Sequence, residues 1–172
     1  RTKPDNKYYK LAVEIAAEIV SRGYGVITGG GPGIMEAANK GANKKKGKSV
    51  GLCIDLPLEE PNNKFIDKDK QLSFDYFFVR KVMFLKYAQG FVVLPGGFGT
   101  LDELFDVLTL LETKKISRKI PIVLFGKDFW EGLIDWEKLI SNNLISKSAL
   151  DLFVVVDSVE EAFNYLIKNM EN

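Results

Sequence analysis

Two stretches of the chain bring together residue types that act on phosphate-bearing molecules. One is Gly29-Gly30-Gly31-Pro32-Gly33; the other is Pro95-Gly96-Gly97-Phe98-Gly99-Thr100-Leu101-Asp102-Glu103. Each leads from an apolar run into a helical pattern, so each predicts a glycine turn at a helix N-terminus. Unpaired backbone N–H groups and the positive end of the helix dipole favour an anion there. Glycine lets a phosphate come within reach of the backbone where a Cβ would stand in the way. A tight strand-to-helix turn of an α/β fold explains either loop alone just as well, and two such loops less well. In the second loop, Thr100 is placed to cap the helix or to bind phosphate, and the dipole accounts for Asp102. Glu103 lies one turn beyond Gly99, a spacing that lets its carboxylate face the crevice the glycines line. The cations Arg80 and Lys81 follow an aromatic run and can neutralise phosphate or hold Glu103 ionised. Their plain alternative is a solvated pair at a helix start.

Composition narrows the chemistry. Among 172 residues there is no histidine, which removes Ser-His and Cys-His nucleophile pairs, histidine bases and nearly every common catalytic zinc site. No metal or cofactor is called for. Lysine and arginine number 24 against 23 acidic residues, so no global field draws the chain to nucleic acid or to an anionic membrane. A charged ligand must be met locally. The lone cysteine, Cys53, cannot form an internal disulfide, and no apolar run reaches the roughly 18 residues that span a bilayer. These features predict a soluble cytoplasmic protein. Neither glycine loop is a P-loop, since no Lys-Ser or Lys-Thr follows the glycines. The first is no dinucleotide fingerprint either, because Ile34 and Glu36 stand where that spacing wants glycine. The basic run from Asn43 to Lys48 reads as lysines complementing the end of a helix.

The elements that must position these residues alternate. Periodicity predicts a helix over 5–22, a strand over 24–28, a helix over 34–45 and a strand over 49–54. A polar stretch follows over 57–70, then an aromatic strand over 74–79 and a helix over 80–89. The second half repeats the pattern: strand 90–94, helix 100–113, strand 120–125, a helix around 130–141, strand 152–156 and helix 158–170. Continuous apolar strands between helices imply a doubly wound, three-layer, Rossmann-like parallel sheet with helices on both faces. No linker divides it, so 1–172 is expected to be one domain.

The order of motifs resembles a known family. Phe77-Phe78-Val79-Arg80-Lys81-Val82-Met83, followed by the Pro95 to Glu103 loop, is similar to the paired R-K and P-G-G-x-G-T-x-x-E motifs of the Lonely guy family. The similarity extends to Gly29 through Ala38. Those proteins are cytokinin riboside 5'-monophosphate phosphoribohydrolases, often mislabelled lysine decarboxylases. The resemblance implies water-driven cleavage of the N-glycosidic bond of a purine nucleoside 5'-monophosphate, giving free base and ribose 5-phosphate. It implies Arg80 and Glu103 as the catalytic pair, with Gly97, Phe98, Gly99 and Thr100 cradling the phosphate and Lys81 assisting. Gly30, Gly31, Gly33 and Gly96 complete the glycine set, and Thr109 and Glu59 match substrate-contacting positions. Such cleavage passes through an oxocarbenium-like transition state, which a carboxylate stabilises without histidine or metal.

Met35-Glu36 and Phe77-Phe78-Val79 resemble the bacterial branch, whereas plant-type members carry glycine in place of Glu36 and histidine before Arg-Lys. Arg1 resembles the end of a turn that follows the family's first strand, which implies that strand upstream. A homodimer is implied too, and the apolar face of Val82 to Tyr87 suits that contact or core packing. A carrier of a phosphorylated ligand, such as molybdenum cofactor, is the alternative within the same fold. A true lysine decarboxylase would need pyridoxal phosphate on a Schiff-base lysine, and the known enzymes set a histidine just before it.

Overall fold

The computed structural model describes residues 1–54 and 63–170. Contacts group the chain into two compact units, Arg1–Ala88 and Gln89–Asn172.

The first unit holds α1 (Lys7–Ser21), β1 (Val26–Thr28), α2 (Ile34–Lys44), β2 (Ser49–Ile54), β3 (Gln71–Phe74) and α3 (Phe77–Tyr87). Its strands are parallel in the order β1-β2-β3, with Thr28 opposite Gly51 and Ile54 opposite Phe74. The Asn6 side chain caps α1 by accepting from the Tyr8 N–H at 2.8 Å. Tyr9, Ala12, Ile15, Ala16 and Val20 of α1 are buried with Ala37 and Ala42 of α2. The two helices approach closely at Gly41, where a Cβ would lie 2.8 Å from that of Ala16.

The second unit holds β4 (Phe91–Val93), α4 (Phe98–Glu112), β5 (Ile122–Phe125), α5 (Lys127–Trp130), α6 (Trp136–Ser141), a 3-10 turn (Lys147–Leu152), β6 (Phe153–Val156) and α7 (Val159–Met170). Its strands are parallel in the order β4-β5-β6. All four residues of the central strand β5 are buried, and burying each such side chain contributes roughly 1.5–3 kcal/mol. Leu104, Val107 and Leu108 of α4 and Ala162 and Leu166 of α7 complete this core. The architecture is α/β and Rossmann-like, of parallel sheets with helices on both sides. No helix among the described residues is long and apolar enough to cross a membrane.

Two expected elements differ. The aromatic run predicted as a strand over 74–79 ends its pairing at Phe74, opposite the last residue of β2, and turns helical at Phe77. Its backbone groups are satisfied within a helix instead, beginning with the Arg80 N–H donating to the Tyr76 carbonyl at 3.5 Å. Arg80 and Lys81 thus belong to α3 and do not end a strand. The helix predicted around 130–141 is broken in two at Gly132, whose φ of +83° no helix interior accepts. The second piece, α6, starts anew on Asp135, whose side chain accepts from the Lys138 N–H at 2.9 Å.

Candidate functional site

In the first unit the glycine turn leaves the carboxyl end of β1 and opens α2. Gly30 and Gly33 have φ of +75° and +76°, in the left-handed region that favours glycine. The Ala37 N–H donates to the Gly33 carbonyl at 2.9 Å and starts the helix, and no side chain caps it. The Gly30 N–H donates to the Thr28 hydroxyl oxygen at 3.0 Å. Gly31 and Gly33 offer N–H groups with no hydrogen-bond partner among the described residues. Arg80 reaches this turn from α3, since a Cβ on Gly29 would stand 3.4 Å from its Nη1 and 2.9 Å from Sδ of Met35. The guanidinium carbon lies 5.0 Å from the ring centre of Phe77, a stacking that holds the planar cation in place. Arg80 is half-buried, with Nε enclosed, and Lys81 beside it is half-buried as well.

A pair absent from the sequence reading sits next to this turn. The buried Tyr9 donates its hydroxyl to Oε1 of Glu36 at 3.1 Å. Burial first, then this bond and the glutamate's charge, raise the phenol above its ordinary value. Glu36 is in the first turn of α2, where the dipole favours a carboxylate. Thr28 and the fully buried Asn39 also escaped the sequence reading. Asn39 carried one signal, an amide among small residues on the inward face of a helix.

In the second unit the turn leaves β4 and opens α4 with Gly97 at the N-cap. Thr100, expected either to cap or to bind phosphate, does not cap: no side chain bonds to the helix start. Its hydroxyl makes no hydrogen bond among the described residues. Thr100 and Leu101 donate their N–H groups to the Gly97 carbonyl at 3.0 and 3.1 Å, and those of Phe98 and Gly99 have no described protein partner. The glycines here have different reasons. A Cβ on Gly96 would lie 2.7 Å from that of Thr100, whereas at Gly97 and Gly99 it would meet no atom of the described residues within 4 Å. Phe98 is 93% exposed. Glu103 stands one turn past Gly99, half-buried, with Oε1 enclosed. Thr109, a turn and a half further, is exposed and donates its hydroxyl to the Phe105 carbonyl at 2.7 Å. Glu59 lies outside the described residues.

Parallel strands running into glycine turns, each opening a helix that no side chain caps, define a Rossmann-like α/β protein. The chain belongs to the Lonely guy family, whose profile, described as "Possible lysine decarboxylase", matches residues 35–166. It is 35% identical over 158 residues to a cytokinin riboside 5'-monophosphate phosphoribohydrolase of Mycobacterium tuberculosis, covering 89% of this chain and 82% of that protein. It is 26% identical over 160 residues to a probable cytokinin riboside 5'-monophosphate phosphoribohydrolase of Arabidopsis thaliana, covering 91% and 78%. The crystal structure of TM1055 shares the fold, with a TM-score of 0.66 at 20% identity over 96% of this chain and 93% of that one.

Proposed function

We propose that the protein hydrolyses the N-glycosidic bond of a purine nucleoside 5'-monophosphate, with adenine or an N6-modified adenine as the base. Water adds at C1′ of the ribose as the C1′–N bond breaks. The base leaves with the bonding electron pair and takes up a proton, and ribose 5-phosphate remains. The observation that carries this reading is the start of α4. Among the described residues nothing packs where a Cβ on Gly97 or Gly99 would lie, and neither the N–H groups of Phe98 and Gly99 nor the Thr100 hydroxyl has a hydrogen-bond partner. Such an arrangement suits the 5'-phosphate, with Gly96 allowing Thr100 to fold back over the turn.

Glu103, one turn behind, is assigned to stabilise the oxocarbenium-like transition state and to orient the water. Arg80 is assigned to hold the nucleotide through its planar fork, with Lys81 assisting. Gly30, Gly31, Gly33, Thr109 and Glu59 are assigned to substrate binding from the family resemblance. Relatives named cytokinin riboside 5'-monophosphate phosphoribohydrolase in both bacteria and plants support the same reaction. We extend the reading to a cytoplasmic homodimer. Its support is the family resemblance together with the apolar side chains that α3 leaves exposed, Phe77, Phe78, Val82 and Tyr87.

The test is direct. The protein is incubated with AMP and with isopentenyladenosine monophosphate, and free base is separated by chromatography. Base release from either substrate, abolished in Glu103→Ala, is expected; no release above that variant refutes the reading.

A further inference from the structure

The first unit contains one connected set of buried polar groups, and its glycine turn hangs from it. Asn39, in the middle of α2, is fully enclosed. A buried amide needs all its hydrogen-bonding positions filled, and those of Asn39 are. Its Oδ1 accepts from the Thr28 hydroxyl at 2.6 Å and from Nδ2 of Asn63 at 2.9 Å. Its Nδ2 donates to Oγ of Ser49 at 2.9 Å and to the Val50 carbonyl at 3.2 Å. These partners allow one orientation only. Exchanging oxygen and nitrogen would set Nδ2 of Asn39 against Nδ2 of Asn63 and its Oδ1 against the Val50 carbonyl, donor to donor and acceptor to acceptor.

The orientation propagates. Because Oδ1 of Asn39 takes the Thr28 proton, the Thr28 oxygen is left to accept, and it accepts from the Gly30 N–H at 3.0 Å. Gly30 is itself buried and held in the left-handed region. One N–H of the turn is therefore drawn into the protein, while those of Gly31 and Gly33 are left with no described partner.

We propose that Asn39 is a positioning residue for nucleotide binding. Acting through the Thr28 hydroxyl, it withdraws the Gly30 N–H and presets the turn in which Gly31 and Gly33 present theirs to oxygen atoms of the ligand. This rests on the nucleotide reading above. A turn already ordered does not lose affinity to its own ordering, and leaving one residue to be ordered on binding weakens affinity about tenfold.

Thr28→Val keeps the side-chain shape and removes both bonds, whereas Thr28→Ser keeps the hydroxyl. Thr28→Ala replaces the valine variant should that one fail to fold. Three quantities are measured: the exchange rate of the Gly30 amide by NMR, the Kd for AMP by calorimetry, and KM and kcat for base release. Thr28→Val is expected to speed Gly30 exchange at least tenfold and to raise Kd and KM about tenfold, with kcat moving less than twofold. Thr28→Ser restores all three. Wild-type Kd and KM in Thr28→Val, with the Gly30 amide exchanging faster, overturn the proposal, because the network then serves folding alone. Failure of the serine variant to restore binding overturns it too. If the unmodified protein binds no AMP, the nucleotide reading has failed and the positioning role falls with it. That failure is told apart by appearing in the wild type.

Discussion

Replacing Gly99 by alanine should make the protein more stable and its ligand binding worse. Gly99 is the second residue of α4, and its φ is not positive, so alanine fits the backbone without strain. The added Cβ meets no atom of the described residues within 4 Å. Alanine in place of glycine at a compatible helical position contributes about 0.4–1 kcal/mol, mainly by restricting the unfolded chain. For a chain of this length that raises the thermal midpoint by about 1–4 °C. The same methyl group enters the space where a phosphate would approach the open N–H groups of Phe98 and Gly99. Losing one charge-assisted hydrogen bond costs about 1.5–3 kcal/mol, which is about 10- to 150-fold in KM. Differential scanning calorimetry and initial rates of base release against AMP concentration measure the two effects on one preparation. Gly96→Ala is the contrast. Its Cβ would collide with the Thr100 side chain, so stability and binding should fall together. A Gly99→Ala protein with unchanged KM, or with a lowered midpoint, refutes the assignment of this helix start to phosphate.

Other expectations concern single groups. Glu103→Gln keeps the shape of the side chain and removes its charge. kcat should drop by about 10²–10³ with the thermal midpoint held, as measured by base release at saturating AMP. Arg80→Lys keeps the charge but loses the planar fork and the stacking on Phe77, so kcat/KM should fall about tenfold or more, and equal kinetics would remove Arg80 from the site. Glu161 closes a capping box on α7: its Oε2 accepts from the N–H groups of Asp157 and Ser158 at 3.3 Å, while its own N–H donates to the Ser158 hydroxyl at 3.1 Å. These bonds, the Asp157 N–H foremost, hold the carboxyl below its ordinary value of 4.5. Its contribution to stability is therefore whole above that value and is lost as pH falls through the lower, folded one. Thermal midpoints from pH 7 down to pH 3 should drop more in the wild type than in Glu161→Gln, and parallel curves would exclude the effect.

The alternation of strands and helices was legible in the sequence because each element carries its own periodicity. β2 is observed over the same residues that its apolar run marks. The aromatic run from Phe74 to Val79 misled because its composition is that of a strand, whereas the chain turns helical at Phe77. β3 pairs as far as Phe74. Past that point the helix-forming Arg80, Lys81, Met83 and Leu85 decide the conformation. The break at Gly132 was hidden for a related reason, since Trp130 through Ile140 keeps an apolar pattern on either side of a residue whose φ alone ends the helix. Local pattern is read easily from a sequence; pairing partners and single dihedrals are properties of the folded chain.

The glycines show the same limit at the site. In the sequence Gly30, Gly96, Gly97 and Gly99 look alike, four members of two loops that both suit an anion. The structure separates them by what a Cβ would touch. At Gly30 it would run into Cys53, and at Gly96 into Thr100, so those two residues are glycine for the sake of the fold. Gly30 further donates its N–H to the Thr28 hydroxyl. At Gly97 and Gly99 the described residues give no reason, for none of their atoms lies within 4 Å of the Cβ position and neither φ is positive. Under the proposed function these two glycines, at a helix start that no side chain caps, leave room for a phosphate to approach the backbone. Alanine at Gly99 therefore tests the ligand, and alanine at Gly96 tests the fold.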